Sequence, residues 1–269
     1  MSARAFHLDA DHTTRAWFAT AAFMFAMIVA IAPAYVADSR TLWEVSVWSK
    51  PLKFCLALLI HFATLGVLAQ QLEPRRRTGP VLNVFVWLSV AAALFEIIYI
   101  VIQAARGRHS HFNFETSLEA TMYTAMGVGA LLLVIAPFVL GVLLAAQRDG
   151  DKSGLRLGSV AGLLLAPILT LIFAGYMSSV NYSHWVGEAV SDAGGVPLFG
   201  WSRDVGDLRP AHFLGTHAMQ ILPIVGLAAD RLAPKLARAA VALAAAVIAV
   251  VAALLFMQAL SGAPFWPRG

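Results

Sequence analysis

Long apolar runs, broken at fairly regular intervals by short polar segments, occupy the chain from Trp17 to Leu260. Seven of these runs are long enough to cross about 30 Å of hydrocarbon at about 1.5 Å per residue. They predict helices at roughly 17–37, 51–69, 80–104, 117–146, 156–180, 210–229 and 239–260. Ser49-Lys50-Pro51, Gly79-Pro80 and Arg209-Pro210 each place a proline at a helix start, where its missing N–H is no loss. No strand is expected. The fold class is therefore all-α, a polytopic transmembrane helix bundle of about seven spans forming one domain over residues 1–269.

Polar positions inside the runs follow helical spacing. At 100° per residue, the second run puts Lys50, Lys53, Ala57, His61 and Thr64 on one stripe. The third does the same with Ser89, Glu96, Tyr99, Gln103 and Arg106, and the sixth with Arg209, His212, Thr216 and Gln220, with His217 at the edge. A weaker stripe, Asn113, Ser117, Thr121 and Thr124, opens the fourth. Polar groups inside spans are costly and normally face a bundle interior or a wet cavity. Three stripes dense toward the same end predict one shared polar cavity opening there, the alternative being separate hydrogen bonds between helices.

Composition strengthens the membrane reading. Hydrophobic residues make up 59% of the 269 and charged residues only 13%, about half the charge of an ordinary soluble domain. Distribution explains the net charge of +4 without a nucleic-acid partner. The loops at 70–79, 147–156 and 230–238 hold nine Lys and Arg against four acids, whereas the opposing three loops hold six against seven. The positive-inside rule then puts the N-terminus in the cytoplasm and the C-terminus outside, and the usage fits a bacterial inner membrane. The acids and histidines before Trp17 argue against a cleavable signal. The connection 181–209 becomes extracytoplasmic, and a loop this long is expected to cap a site below it.

Candidate chemistry concentrates at that outer end. Six of the eight histidines (His61, His109, His111, His184, His212 and His217) fall there or at mid-depth, leaving His7 and His12 on the cytoplasmic side. His61 and His217, at similar depth on different helices, are candidate ligands of a haem b or of a metal. His109 and His111, with His212 and Glu96, form a nitrogen and oxygen set suited to zinc, iron or copper. The single cysteine, Cys55, excludes an intrachain disulfide and a thiolate cage. Glu96, with His212, is the candidate catalytic group: a proton carrier or one half of a fixed ion pair with a cation such as Lys53, Arg106 or Arg209. Glu119 lies off the polar stripe and is read as a helix cap or anchor. Arg106, Arg209 and Lys53 are expected to balance haem propionates or an anionic substrate. A zincin helix, a nucleophile elbow and a lysine in the last span are all missing.

Ser49-Lys50-Pro51-Leu52-Lys53-Phe54, Arg106-Gly107-Arg108-His109-Ser110-His111-Phe112-Asn113, Asp207-Leu208-Arg209-Pro210-Ala211-His212-Phe213 and His217-Ala218-Met219-Gln220 resemble a family of bacterial multi-pass membrane proteins. Its motifs read RGxxSHFN and DLRxxHFxxxHAMQ, and it has no assigned reaction. The resemblance implies a membrane bundle and transfers no role to any residue. The leading functional expectation is a membrane oxidoreductase, or its accessory redox subunit, carrying haem b or a transition metal. The rivals are a proton-coupled small-solute transporter or ligand sensor, and a structural or assembly subunit. Expected partners are the lipid bilayer and a small ligand or cofactor, with an oligomer or partner subunit open and no nucleic acid.

Overall fold

The computed structural model describes residues 11–188 and 191–268; His7 and Asp9 lie outside them. Seven long helices form an all-α bundle: α1 (His12–Ala37), α2 (Ser49–Ala69), α4 (Pro80–Arg106), α5 (Ser117–Ala145), α6 (Gly154–Tyr176), α7 (Arg209–Leu232) and α8 (Ala237–Leu260). Each belongs to a segment long and apolar enough to cross a membrane, and the chain is an integral, multi-pass membrane protein. The expected spans agree with these helices to within a few residues. A short helix, α3 (Pro74–Arg77), lies in the first arginine-rich loop, and one π turn, Met177–Asn181, prolongs α6.

The expectation of no strands needs correction. Strands β1 (Thr41–Leu42) and β2 (Val45–Ser46) pair antiparallel, as do β3 (Trp185–Val186) and β4 (Gly206–Asp207). Two-residue ladders leave no periodicity to detect, and the second joins segments about twenty residues apart. All four lie at the end opposite the arginine-rich loops, where they form a cap. In the first hairpin Trp43 and Glu44 both take positive φ, 51° and 61°. Such a turn ordinarily selects Asn-Gly, so its lack of a glycine marks local strain held by surrounding contacts.

Helix ends follow local chemistry. Asp11 caps α1 by accepting from Thr14 N at 3.0 Å and pairs with Arg77 at 2.6 Å, so one arginine of the basic loop pins two elements. Thr116 accepts from Glu119 N at 3.2 Å and donates to the Glu119 carboxylate at 3.1 Å, fixing the start of α5. Gly107, at φ 66°, ends α4 in the left-handed region. Asp230 of α7 accepts from Gly154 N and Leu155 N at 2.6 and 2.9 Å, covering donors that α6 leaves open.

Packing decides which helices enclose the site. Helices α6 and α7 approach most closely because Gly154, Gly158 and Gly162 recur every fourth residue on one face. A Cβ on Gly162 would stand 2.7 Å from Ala218 O, and one on Gly158 would collide with Leu222 O. Small residues let membrane helices touch through their backbones. Helix α2 packs against α1 and α4, and it meets α7 through side chains rather than by backbone approach. Between them lies a core that includes Trp17, Phe62, Leu65, Ile97 and Leu163. Exposed Phe25, Val84, Trp87, Ile172 and Leu254 cover outer faces, as lipid contact requires.

Candidate functional site

The predicted residues fall into three places. The first is a cluster of polar and aromatic side chains at the capped end, drawn from α2, α4 and α5 and the loop between the last two. Lys50 enters from the start of α2, with its ammonium 5.8 Å from the centre of the Phe54 ring. Phe54 in turn faces His111, ring centres 5.5 Å apart, and His111 lies 6.2 Å from Tyr123 of α5. Deeper on α4 sits Glu96, only 3% exposed, with no hydrogen-bond partner for Oε1 among the described residues. Gly129 makes room for it: a Cβ there would stand 2.8 Å from Glu96 Oε1. No cation lies within ion-pairing distance of Glu96 among the described residues, but Lys50 is within electrostatic range. The Tyr123 hydroxyl is likewise buried and unbonded.

Ser89, Glu96, Tyr99 and Gln103 are all buried, so the α4 stripe does face inward. Gln103 organises its outer end, donating to Tyr99 Oη and to His109 O, both at 3.1 Å. Of the weak stripe that opens α5, only Asn113 is buried. Ser117, Thr121 and Thr124 are exposed, and both threonines bond back to carbonyls of their own helix. Tyr123, Met126 and Gly129 face inward in their place. Sequence reasoning overlooked these three because two carry no charge and Tyr123 reads as an ordinary interfacial aromatic.

The cap is the second place. Trp43 stacks on His109 with ring centres 4.1 Å apart and packs against Trp185 and His184 at 4.9 and 5.5 Å. His184 Nε2 lies 3.6 Å from Asp192 Oδ1, and Asp192 also receives Arg209 at 2.8 Å. Arg209 donates twice more to Asp207, from Nε at 3.0 Å and from NH2 at 2.6 Å, and to Gly200 O at 2.8 Å. Lys53 donates to Phe199 O at 2.9 Å. Together these bonds tie the long connection across the starts of α2 and α7. Burial pushes His109, His111 and His184 below the ordinary histidine value; nearby Lys50 adds to this for the first two, while the Asp192 carboxylate opposes it for His184. Burial alone would raise Asp192, but His184 and Arg209 outweigh it and hold the carboxyl low.

At mid-depth, the third place, Gln220 of α7 donates to Thr64 Oγ1 of α2 at 3.1 Å and meets His217 Nδ1 at 3.2 Å. His61 and His212 both lie within electrostatic range of His217, and both have a buried ring nitrogen without a partner.

Several expected roles change with these positions. Arg209 is already held by two carboxylates of its own chain, and Lys53 by a carbonyl, so both secure the cap. Arg106 donates to Gln103 Oε1 at 2.7 Å and leans toward Glu119 at 3.7 Å, and it is exposed. Glu119 receives Arg108 at 2.7 Å and anchors the start of α5. His109, His111, His212 and Glu96 are not gathered as one ligand set: among the described residues no three His, Cys, Asp or Glu side chains come together as a metal site. They lie on three elements at different depths, which loop spacing cannot reveal. A shallow depression of about 420 Å³ on the cap, lined by Glu44, Glu188, Ser191, Asp204 and Arg268 among others, involves none of the predicted residues.

No protein-family model, curated protein sequence or solved structure matches this chain. The functional reading therefore stands on the site itself.

Proposed function

We propose that this membrane protein binds a small polar solute at the Lys50–Glu96 cluster and exchanges a proton through Glu96, acting as a proton-coupled transporter. The capped end faces outside and the arginine-rich loops face the cytoplasm of a bacterial inner membrane, as the charge asymmetry favours. The observation that carries the reading is Glu96: an almost fully buried carboxyl with a free oxygen, placed beside a glycine and not locked to a cation. A structural glutamate in a span would be bonded on both oxygens or paired, because an unpartnered polar group in hydrocarbon is costly. A group that must gain and lose a proton needs that freedom.

Purified protein in liposomes containing an internal pH dye should acidify or alkalinise the lumen when a substrate gradient is imposed. Glu96→Gln should abolish the proton movement. Solute binding without uptake would make the protein a sensor. Equal proton movement in the parent and Glu96→Gln would remove the proposal. Alanine at Glu96, His61 and His217 that lowers stability with no separable activity would leave a structural or assembly role.

One observation favours a second reading, a redox centre held by His61 and His217. Gln220 orients the Nδ1 side of His217 and is itself held by Thr64, as a supporting shell orients a ligating imidazole. His61 Nε2 is buried and free. A haem b or a transition-metal ion bound there would supply one-electron chemistry. Protein purified after expression with haem and metals supplied, and lacking both a Soret band and stoichiometric metal, would exclude it.

A further inference from the structure

Eight basic residues of the described chain lie at the capped end, and seven of them have an oxygen partner. Arg40 is held by Asp38, Lys53 by Phe199 O, Arg106 by Gln103, and Arg108 by Glu119. Arg203 donates to Trp266 O and Pro267 O, Arg209 to Asp207 and Asp192, and Arg268 to Asp204. Lys50 alone has no acceptor within bonding distance among the described residues. Its close neighbour is the Phe54 ring, and it sits partly buried. An ammonium withdrawn from water without an acceptor costs free energy in the empty protein, and a cation–π contact offsets only part of that.

From this juxtaposition we infer that the Lys50–Glu96 cluster binds a small organic monocarboxylate, whose carboxylate is held by the Lys50 ammonium while a hydroxyl or other donor on the same molecule reaches Glu96. Charge sets the valence. Among the described lysines and arginines of the capped end Lys50 alone is uncommitted, and Asp192 is already paired with Arg209, so while Glu96 carries its proton one added negative charge is balanced and two are not. Shape sets the rest. Phe54 offers an apolar surface, and the Glu96 and Tyr123 oxygens, without hydrogen-bond partners among the described residues, offer an acceptor and a donor. Lysine binds anions as a point charge without bidentate geometry, which suits a carboxylate of varied orientation. The inference deepens the proposed function and requires this cluster to be its ligand site.

The test uses full-length protein in nanodiscs of zwitterionic lipid, with thermal unfolding and tryptophan fluorescence as readouts. The probes are sodium lactate, the neutral analogue lactamide, and inorganic phosphate, at matched ionic strength. Lactate is expected to raise the unfolding midpoint with increasing concentration, and lactamide is not. Lys50→Gln is expected to make the empty protein more stable, by removing an unpaired buried charge, and to weaken lactate binding at least about tenfold. Lys50→Arg should keep part of the response. Equal responses to lactate and lactamide, tighter binding of phosphate than lactate, an undiminished lactate response in Lys50→Gln, or no response to any probe would each overturn the inference. Proton movement in Glu96→Gln is measured separately, so these failures are distinguishable from failure of the transport reading.

Discussion

Alanine at Gly129 isolates the contact between Glu96 and α5. The added Cβ would stand 2.8 Å from Glu96 Oε1 and 3.6 Å from both Cγ and Cδ of that side chain. A relaxed carbon–oxygen contact is about 3.3 Å, so the carboxylate must withdraw by about half an ångström. Gly127 lies on the same helix, and a Cβ there meets nothing within 4 Å. Both substitutions gain about 1 kcal/mol of helix propensity, and that gain cancels in the comparison. What remains is crowding, which costs about 1–3 kcal/mol in a packed interior. Because the crowded atom ends a flexible side chain, the lower part of that range applies. Gly127→Ala should therefore exceed Gly129→Ala in stability by about 1 kcal/mol, read from reversible unfolding in mixed detergent micelles. In a Glu96→Ala background the gap should close, since the coupled partner is gone. Equal stability of the two variants in the parent background would refute the placement of Glu96 against α5.

Other consequences are equally open to measurement. Gly158→Ala should destabilise the α6–α7 pair by about 1–3 kcal/mol, because its Cβ meets the Leu222 carbonyl, whereas Gly175→Ala, with nothing near, should not. Asp207→Asn removes a fully buried charge from the Arg209 cluster and should cost about 3 kcal/mol. Hydrogen exchange should then rise first in residues 191–207, and an unchanged exchange pattern would count against the clamp. Acid should loosen the cap. His109, His111 and His184 sit below the ordinary histidine value, so the folded state binds fewer protons than the unfolded chain, and stability is lost as pH falls through about 6.5 and below. Trp43 and Trp185 pack on His184, whose protonation is displaced to below the ordinary histidine value, so their fluorescence should fall as the pH drops below about 6.5, and His184→Asn should remove part of that change. A flat profile across this range would contradict the assignment.

The seven spans were legible in the sequence because hydrocarbon thickness fixes how long an apolar run must be, a constraint each segment carries alone. The inward face of α4 was legible too, since burying Glu96 and Gln103 in one stripe is a local helical pattern. The Gly154, Gly158 and Gly162 spacing was equally readable and went unused. Tertiary structure decided which charges are already neutralised. Arg209 and Lys53 look like ligand cations in sequence; Asp207 is a near neighbour of Arg209 in the chain, but only folding of the long connection brings Asp192 to Arg209 and the Phe199 carbonyl to Lys53. The same folding leaves Lys50 without an acceptor among the described residues, a property of its surroundings rather than of the side chain itself. Burial and pairing depend on segments distant in the chain, so no periodicity within one helix can report them.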